Sequence, residues 1–124
     1  MNMAKSMHAE QLAVEAARIA HDHQAEAVTV MDLRGRSPVT DFFVICTGAS
    51  DRQRQTVCDM VKEYGRKIGD RPLGVTGYDT GNWILLDFFD VIIHIFSAEF
   101  RDYYDLELLW GDAPRIEWTR SASA

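Results

Sequence analysis

The run Asp41-Phe42-Phe43-Val44-Ile45-Cys46-Thr47 constrains the fold more than any other stretch of this chain. It is apolar at consecutive positions, not at every second one. Successive side chains in a strand point to opposite faces, so such a run has to be covered on both sides, inside a layered sheet. Gly48-Ala49-Ser50 follows as a tight strand-to-helix turn. Ser50 is the expected N-cap, and Asp51 suits the positive end of the helix. The helix predicted from there to about Ile68 buries Val57, Met60, Val61, Tyr64 and Ile68, and Gly69 stops it.

The same reasoning extends in both directions. Residues 8–24 carry Leu12, Ala16, Ile19, Ala20 and His23 at helical spacing. Residues 27–33 read as a strand with Val28 and Val30 on one face, and Arg34-Gly35-Arg36-Ser37-Pro38 as a loop. Residues 72–76 predict a short strand and residues 77–82 a loop. Residues 83–87 and 91–96 are two more apolar strands, joined as a hairpin by a short turn at Phe88-Phe89. Ser97 can cap a last helix, with Glu99 in its first turn and its end near Trp110-Gly111. The order α-β-β-α-β-β-β-α gives an α/β fold, a mixed sheet of about five strands with helices packed on it. A chain of 124 residues holds one such domain, expected over residues 1–113, with residues 114–124 as a flexible C-terminal tail.

The distribution of charge is more informative than its total of −6. Residues 1–77 carry ten bases and ten acids, whereas residues 78–112 carry eight acids and one base, Arg101. An acidic C-terminal third attracts a basic partner and repels a polyanion, so little or no direct nucleic-acid binding is expected. Plain solubility is the alternative reading of the same acids. The apolar share of 47% suits a soluble globular protein, and no apolar run reaches membrane-spanning length. The N-terminus has no signal-peptide core, which points to the cytoplasm and to no membrane. Cys46 and Cys58 lack C-x-x-C spacing and read as reduced core thiols.

Catalytic chemistry finds few candidates. The Gly48 turn could hold a phosphate on backbone N–H groups, but it lacks both a Walker Gly-Lys-Ser/Thr and a three-glycine fingerprint. Asp87 and Asp90 flank a turn and need not converge on a metal, and His21 and His23 stand two apart on a helix and point in different directions. No Ser or Cys sits in a nucleophile elbow. No cofactor, metal or catalytic residue is therefore expected. His94, in mid-strand, is either a satisfied core histidine or a contact residue. Trp83, at a strand mouth, either caps the core or anchors a partner. Drawn as one continuous helix, the last segment spreads Leu106, Trp110, Tyr103, Phe100, Tyr104 and Leu108 over roughly 200° of arc, wider than a single packing stripe. That excess suits either a wholly buried helix or a binding or dimer face.

These residues also carry a resemblance. The run 41–48 with Ser50 and Arg52-Gln53, then residues 83–87 running on through 90–96, then Glu99, Arg101, Tyr103-Tyr104, Leu106-Glu107 and Leu109-Trp110 together resemble the RsfS/Iojap family of ribosomal silencing factors. The resemblance covers roughly residues 8–113. It implies a nucleotidyltransferase-like fold without the catalytic carboxylates. It also implies a translation repressor that binds the large ribosomal subunit through its fourteenth protein and sterically blocks the small subunit in starved or stationary cells. A homodimer is implied for the free protein. The partner-binding residues it suggests are Trp83, Asp87, His94, Arg101, Tyr104, Glu107, Leu108 and Trp110. The family often has Gly where Phe89 stands, and a side chain there disfavours a turn needing positive φ, which bears on the aim of Asp87 and Asp90. The competing class is a nucleotidyltransferase-like enzyme, degenerate or active, using the Gly48 turn with Asp87 or Asp90.

Overall fold

The computed structural model describes residues 3–120, with side chains from His8 onward. Helix α1 (Met3–Asp22) leads into strands β1 (Glu26–Asp32) and β2 (Phe42–Thr47). Helix α2 (Asp51–Lys67) is followed by β3 (Gly74–Thr76), β4 (Trp83–Asp87) and β5 (Val91–Phe96), then by two short helices, α3 (Ala98–Tyr104) and α4 (Leu106–Leu109). The strands form one mixed sheet in the order β1-β2-β5-β4-β3. The central β2–β5 pair is parallel, while β1–β2, β4–β5 and β3–β4 are antiparallel. The parallel pair requires a crossover, which α2 and the β3–β4 hairpin supply.

One face of the sheet carries the main core. Val44, Cys46, Ile84, Leu86, Val91, Ile93 and Ile95 pack against Leu12, Ala13, Ala16, Ala17 and Ala20 of α1 and Val57, Cys58 and Val61 of α2. The run of alanines lets α1 lie close to the strands. Each fully buried Leu, Ile or Val contributes roughly 1.5–3 kcal/mol, so this layer dominates stability. Gly65 brings α2 against the β4–β5 turn, where an added Cβ would meet the Phe88 ring at 2.9 Å. The opposite face holds a smaller cluster of Met31, Leu33, Ile45, Phe96 and Ala113, against which Phe43, Trp83, Phe100, Leu106 and Trp110 are partly buried. Strand β2 is thus covered on both sides, as its unbroken apolar run requires.

Three local expectations change. In α2, Met60 is exposed, and the buried set is Arg54, Val57, Cys58, Val61 and Gly65. The stripe is rotated because Arg54, only 4% exposed, has internal acceptors. Its guanidinium donates to the carbonyls of Gly48 (2.6 Å) and Gly81 and pairs with Asp51. Second, the last helix is not continuous. Asp105 adopts the left-handed conformation (φ 44°, ψ 55°), ending α3 and starting α4. No residue of either helix is fully buried.

Third, residues 114–120 are not a loose tail. The Asp32 N–H donates to the Pro114 carbonyl (2.8 Å), the Ile116 N–H to Val30 (2.9 Å), and Met31 bridges Arg115 in antiparallel fashion. The Trp118 indole donates to the Val28 carbonyl (3.0 Å), and Arg120 makes two 2.9 Å bonds to Asp22. The physical reason lies in β1, an edge strand whose outward backbone groups need partners. Residues 121–124 of the expected tail lie outside the described residues.

Candidate partner-docking face

The thinly covered side of the sheet is set by strand register. Across β4, β5 and β2, Trp83 pairs with Phe96 and Thr47, Leu85 with His94 and Ile45, and Asp87 with Ile92 and Phe43. All these side chains point to the same face, because they alternate with the core residues Ile84, Leu86, Ile93 and Ile95. Trp83, Leu85, Asp87, Ile92 and Phe43 keep part of their surface accessible.

The chain after β5 folds over one end of this face. Ser97 caps α3 by accepting the Phe100 N–H (3.2 Å). The Tyr104 ring then lies against Trp83 with centroids 4.7 Å apart, and Trp83 against Phe96 at 4.8 Å. Trp110 stands perpendicular to Phe43 at 6.5 Å. Such tilted and edge-on ring contacts are the favoured aromatic geometries. Arg101 fastens the two short helices to the sheet. It donates to the Thr47 hydroxyl (3.0 Å) and pairs with Glu107 (2.9 Å). Outward from this layer, Tyr103, Leu108 and Leu109 are 80%, 77% and 72% exposed. Asp102 and Asp105 are exposed between them.

The residues singled out from the sequence therefore divide into three kinds. Trp83, Asp87, Tyr104, Leu108 and Trp110 reach the surface on or around this face. Arg101 and Glu107 are partly buried and hold each other. His94 lies beneath the face, 4% exposed. Its Nδ1 accepts the Trp83 indole N–H (3.1 Å), and burial pushes the ring down to about 4. Its Nε2 has no hydrogen-bond partner among the described residues. Phe43, Leu85, Ile92, Tyr103 and Leu109 escaped selection. The first three were recoverable from period-two alternation on the strands holding Trp83 and His94.

The turn at Phe88-Phe89 keeps its positive φ despite the side chain: Phe89 has φ 75° and is 57% exposed. Asp87 stabilises it by accepting the Phe89 N–H (2.8 Å). The Gly48 turn is occupied by the protein's own groups. The Gly48 N–H donates to Phe96 (2.9 Å), the Ala49 N–H to the Gln53 side chain (2.6 Å), and the Gln53 N–H to Ser50 Oγ (3.1 Å). The Arg54 stem fills the space beside Gly48. A phosphate would have to displace these contacts and face Asp51. Among the described residues, no group of three or more His, Cys, Asp or Glu gathers to hold a metal, and no helix is long and apolar enough to cross a membrane.

Fold and face define the class: a small α/β domain on a five-stranded mixed sheet, helix-covered on one side and half open on the other. Two crystal structures share it. One, of a Chromobacterium violaceum protein, superposes with a TM-score of 0.77 at 27% identity, covering 98% of this chain and 97% of that one. The other, from Bacillus halodurans, gives 0.72 at 37% identity over 86% and 94%. The chain belongs to the ribosomal silencing factor family, whose model, described as "Ribosomal silencing factor during starvation", matches residues 6–124. The ribosomal silencing factor of Halalkalibacterium halodurans is 40% identical over 86% of this chain and 89% of its own length. That of Bacillus subtilis is 40% identical over 80% and 84%. The chloroplastic protein Iojap of Zea mays is 35% identical over 85% of this chain and 46% of its own length. These relatives are named for silencing ribosomes or as Iojap, not for a reaction.

Proposed function

We propose that this protein represses translation by binding the large ribosomal subunit in the cytoplasm and sterically keeping the small subunit away, without catalysis. The contact is made to the fourteenth protein of the large subunit by the face built from Trp83, Asp87, Tyr104, Leu108 and Trp110, and the free protein is a homodimer. The observation that carries this reading is the half-open aromatic layer, whose rings other than Phe43 come from the acidic stretch 78–112. Exposed aromatic and aliphatic side chains supply desolvation energy on docking, and the surrounding carboxylates complement a basic ribosomal protein. Family membership supports the ribosome as the target.

Sucrose-gradient sedimentation with separated subunits tests this directly. The protein should travel with large subunits and reduce the yield of full ribosomes. Leu108→Asp changes a side chain that is 77% exposed, so it should leave the fold intact. By removing a contact in a desolvated interface it should weaken binding roughly tenfold or more. Sedimentation with small subunits alone, or normal binding by both Leu108→Asp and Trp83→Ala, would refute the reading.

A further inference from the structure

His94 is an expensive residue for its position. It sits mid-strand in β5, 4% exposed, with Phe43 edge-on at 4.5 Å and Phe96 stacked at 5.9 Å. Nδ1 accepts a hydrogen bond from Trp83, so in the neutral ring the proton is on Nε2, where the described residues offer no acceptor. An unpaired buried donor is destabilising, whereas an apolar side chain here would remove that donor but strand the Trp83 N–H. The one bond that the ring does make is therefore the feature to explain.

That bond resolves an ambiguity in Trp83. The indole is held by tilted contacts with Phe96 at 4.8 Å and Tyr104 at 4.7 Å. Ring-on-ring contacts of this kind are broad in angle and discriminate weakly between an indole and its flipped counterpart. Only one of the two orientations points Nε1–H at His94. An acceptor at this spot in β5 selects it, and the neutral ring enforced by burial keeps Nδ1 able to accept.

We propose that His94 is a positioning residue: its Nδ1 fixes the orientation in which Trp83, and the Tyr104 ring resting on it, are presented by the docking face. His94 does not touch the partner. It acts through Trp83 by selecting one ring orientation before binding, so that no ordering cost is incurred on contact. This assignment rests on the proposed function for its consequence, but the hydrogen bond can be examined on the free protein.

The experiment uses the full chain labelled with nitrogen-15, with the Trp83 indole resonance identified by its absence in Trp83→Phe. His94→Phe removes the acceptor and keeps an aromatic ring. His94→Asn restores an acceptor near the position of Nδ1. His94→Phe should shift the Trp83 indole N–H and speed its exchange with water. Losing one buried hydrogen bond should lower large-subunit affinity roughly five- to tenfold, and His94→Asn should recover most of both changes. An unmoved indole resonance in His94→Phe, or equal weakening by Phe and Asn, overturns the proposal. Should His94→Phe fail to fold, the imidazole nitrogens of the unsubstituted protein decide: a proton on Nδ1 overturns it, and a proton on Nε2 upholds it. If the unsubstituted protein leaves large subunits unbound, the proposed function fails, while the indole and imidazole signatures still judge His94's hold on Trp83.

Discussion

His94 ties stability to pH in a defined window. Burial holds the folded ring down to about 4, against an ordinary value of 6.5. The unfolded chain therefore takes up the proton first, and stability falls as pH drops from about 6.5 towards 4. The loss is on the order of 3 kcal/mol across that interval. His94→Phe should flatten the slope in a series of urea melts between pH 7 and 4. Below 3.8 a different residue takes over: Arg34 beside Asp32 holds that carboxyl below its ordinary value, so its contribution disappears at lower pH. Phe89 offers a second test at this scale. An L side chain at φ 75° is strained, and glycine is not. Phe89→Gly should raise the urea midpoint at unchanged m-value, a gain of about 1 kcal/mol. A fall in stability would mean that the ring makes contacts worth more than the strain.

Arg54 shows how one buried cation organises an element. It joins the first turn of α2 to the Gly48 turn and to the loop at Gly81. Arg54→Met retains most of the stem but leaves two carbonyls without their donor. It should cost about 3 kcal/mol by chemical denaturation, since breaking a buried charged network strands its partners. Arg54 also explains the rotated stripe of α2: hydropathy assigns arginine to the surface and Met60 to the core, and only the location of acceptors reverses that. Strands β4 and β5 were legible to the residue, because turn residues bound two unbroken apolar runs. The break at Asp105 was not, since a helical wheel assumes continuous geometry and a single left-handed residue resets it. Trp83, Tyr104 and Trp110 were legible as aromatic residues in acidic surroundings. That His94 lies under them depended on strand register, which pairs Leu85 with His94 across the hairpin.

At the scale of the whole molecule, the segment 114–118 closes the sheet. Removing residues 114–124 should abolish the exchange protection of the Asp32 amide, whose acceptor is the Pro114 carbonyl. It should also produce concentration-dependent association through the bared β1 edge, read by light scattering. Unchanged protection at Asp32 would show that this packing contributes nothing to closure. The other edge, β3, is only three residues long, Gly74–Thr76, and brevity itself limits its capacity to pair. The closing segment is held to that margin by few bonds, so it can lift without unpicking the pleated array beneath. Each time the hem comes loose, a crowded neighbour finds an unguarded selvedge to zip onto.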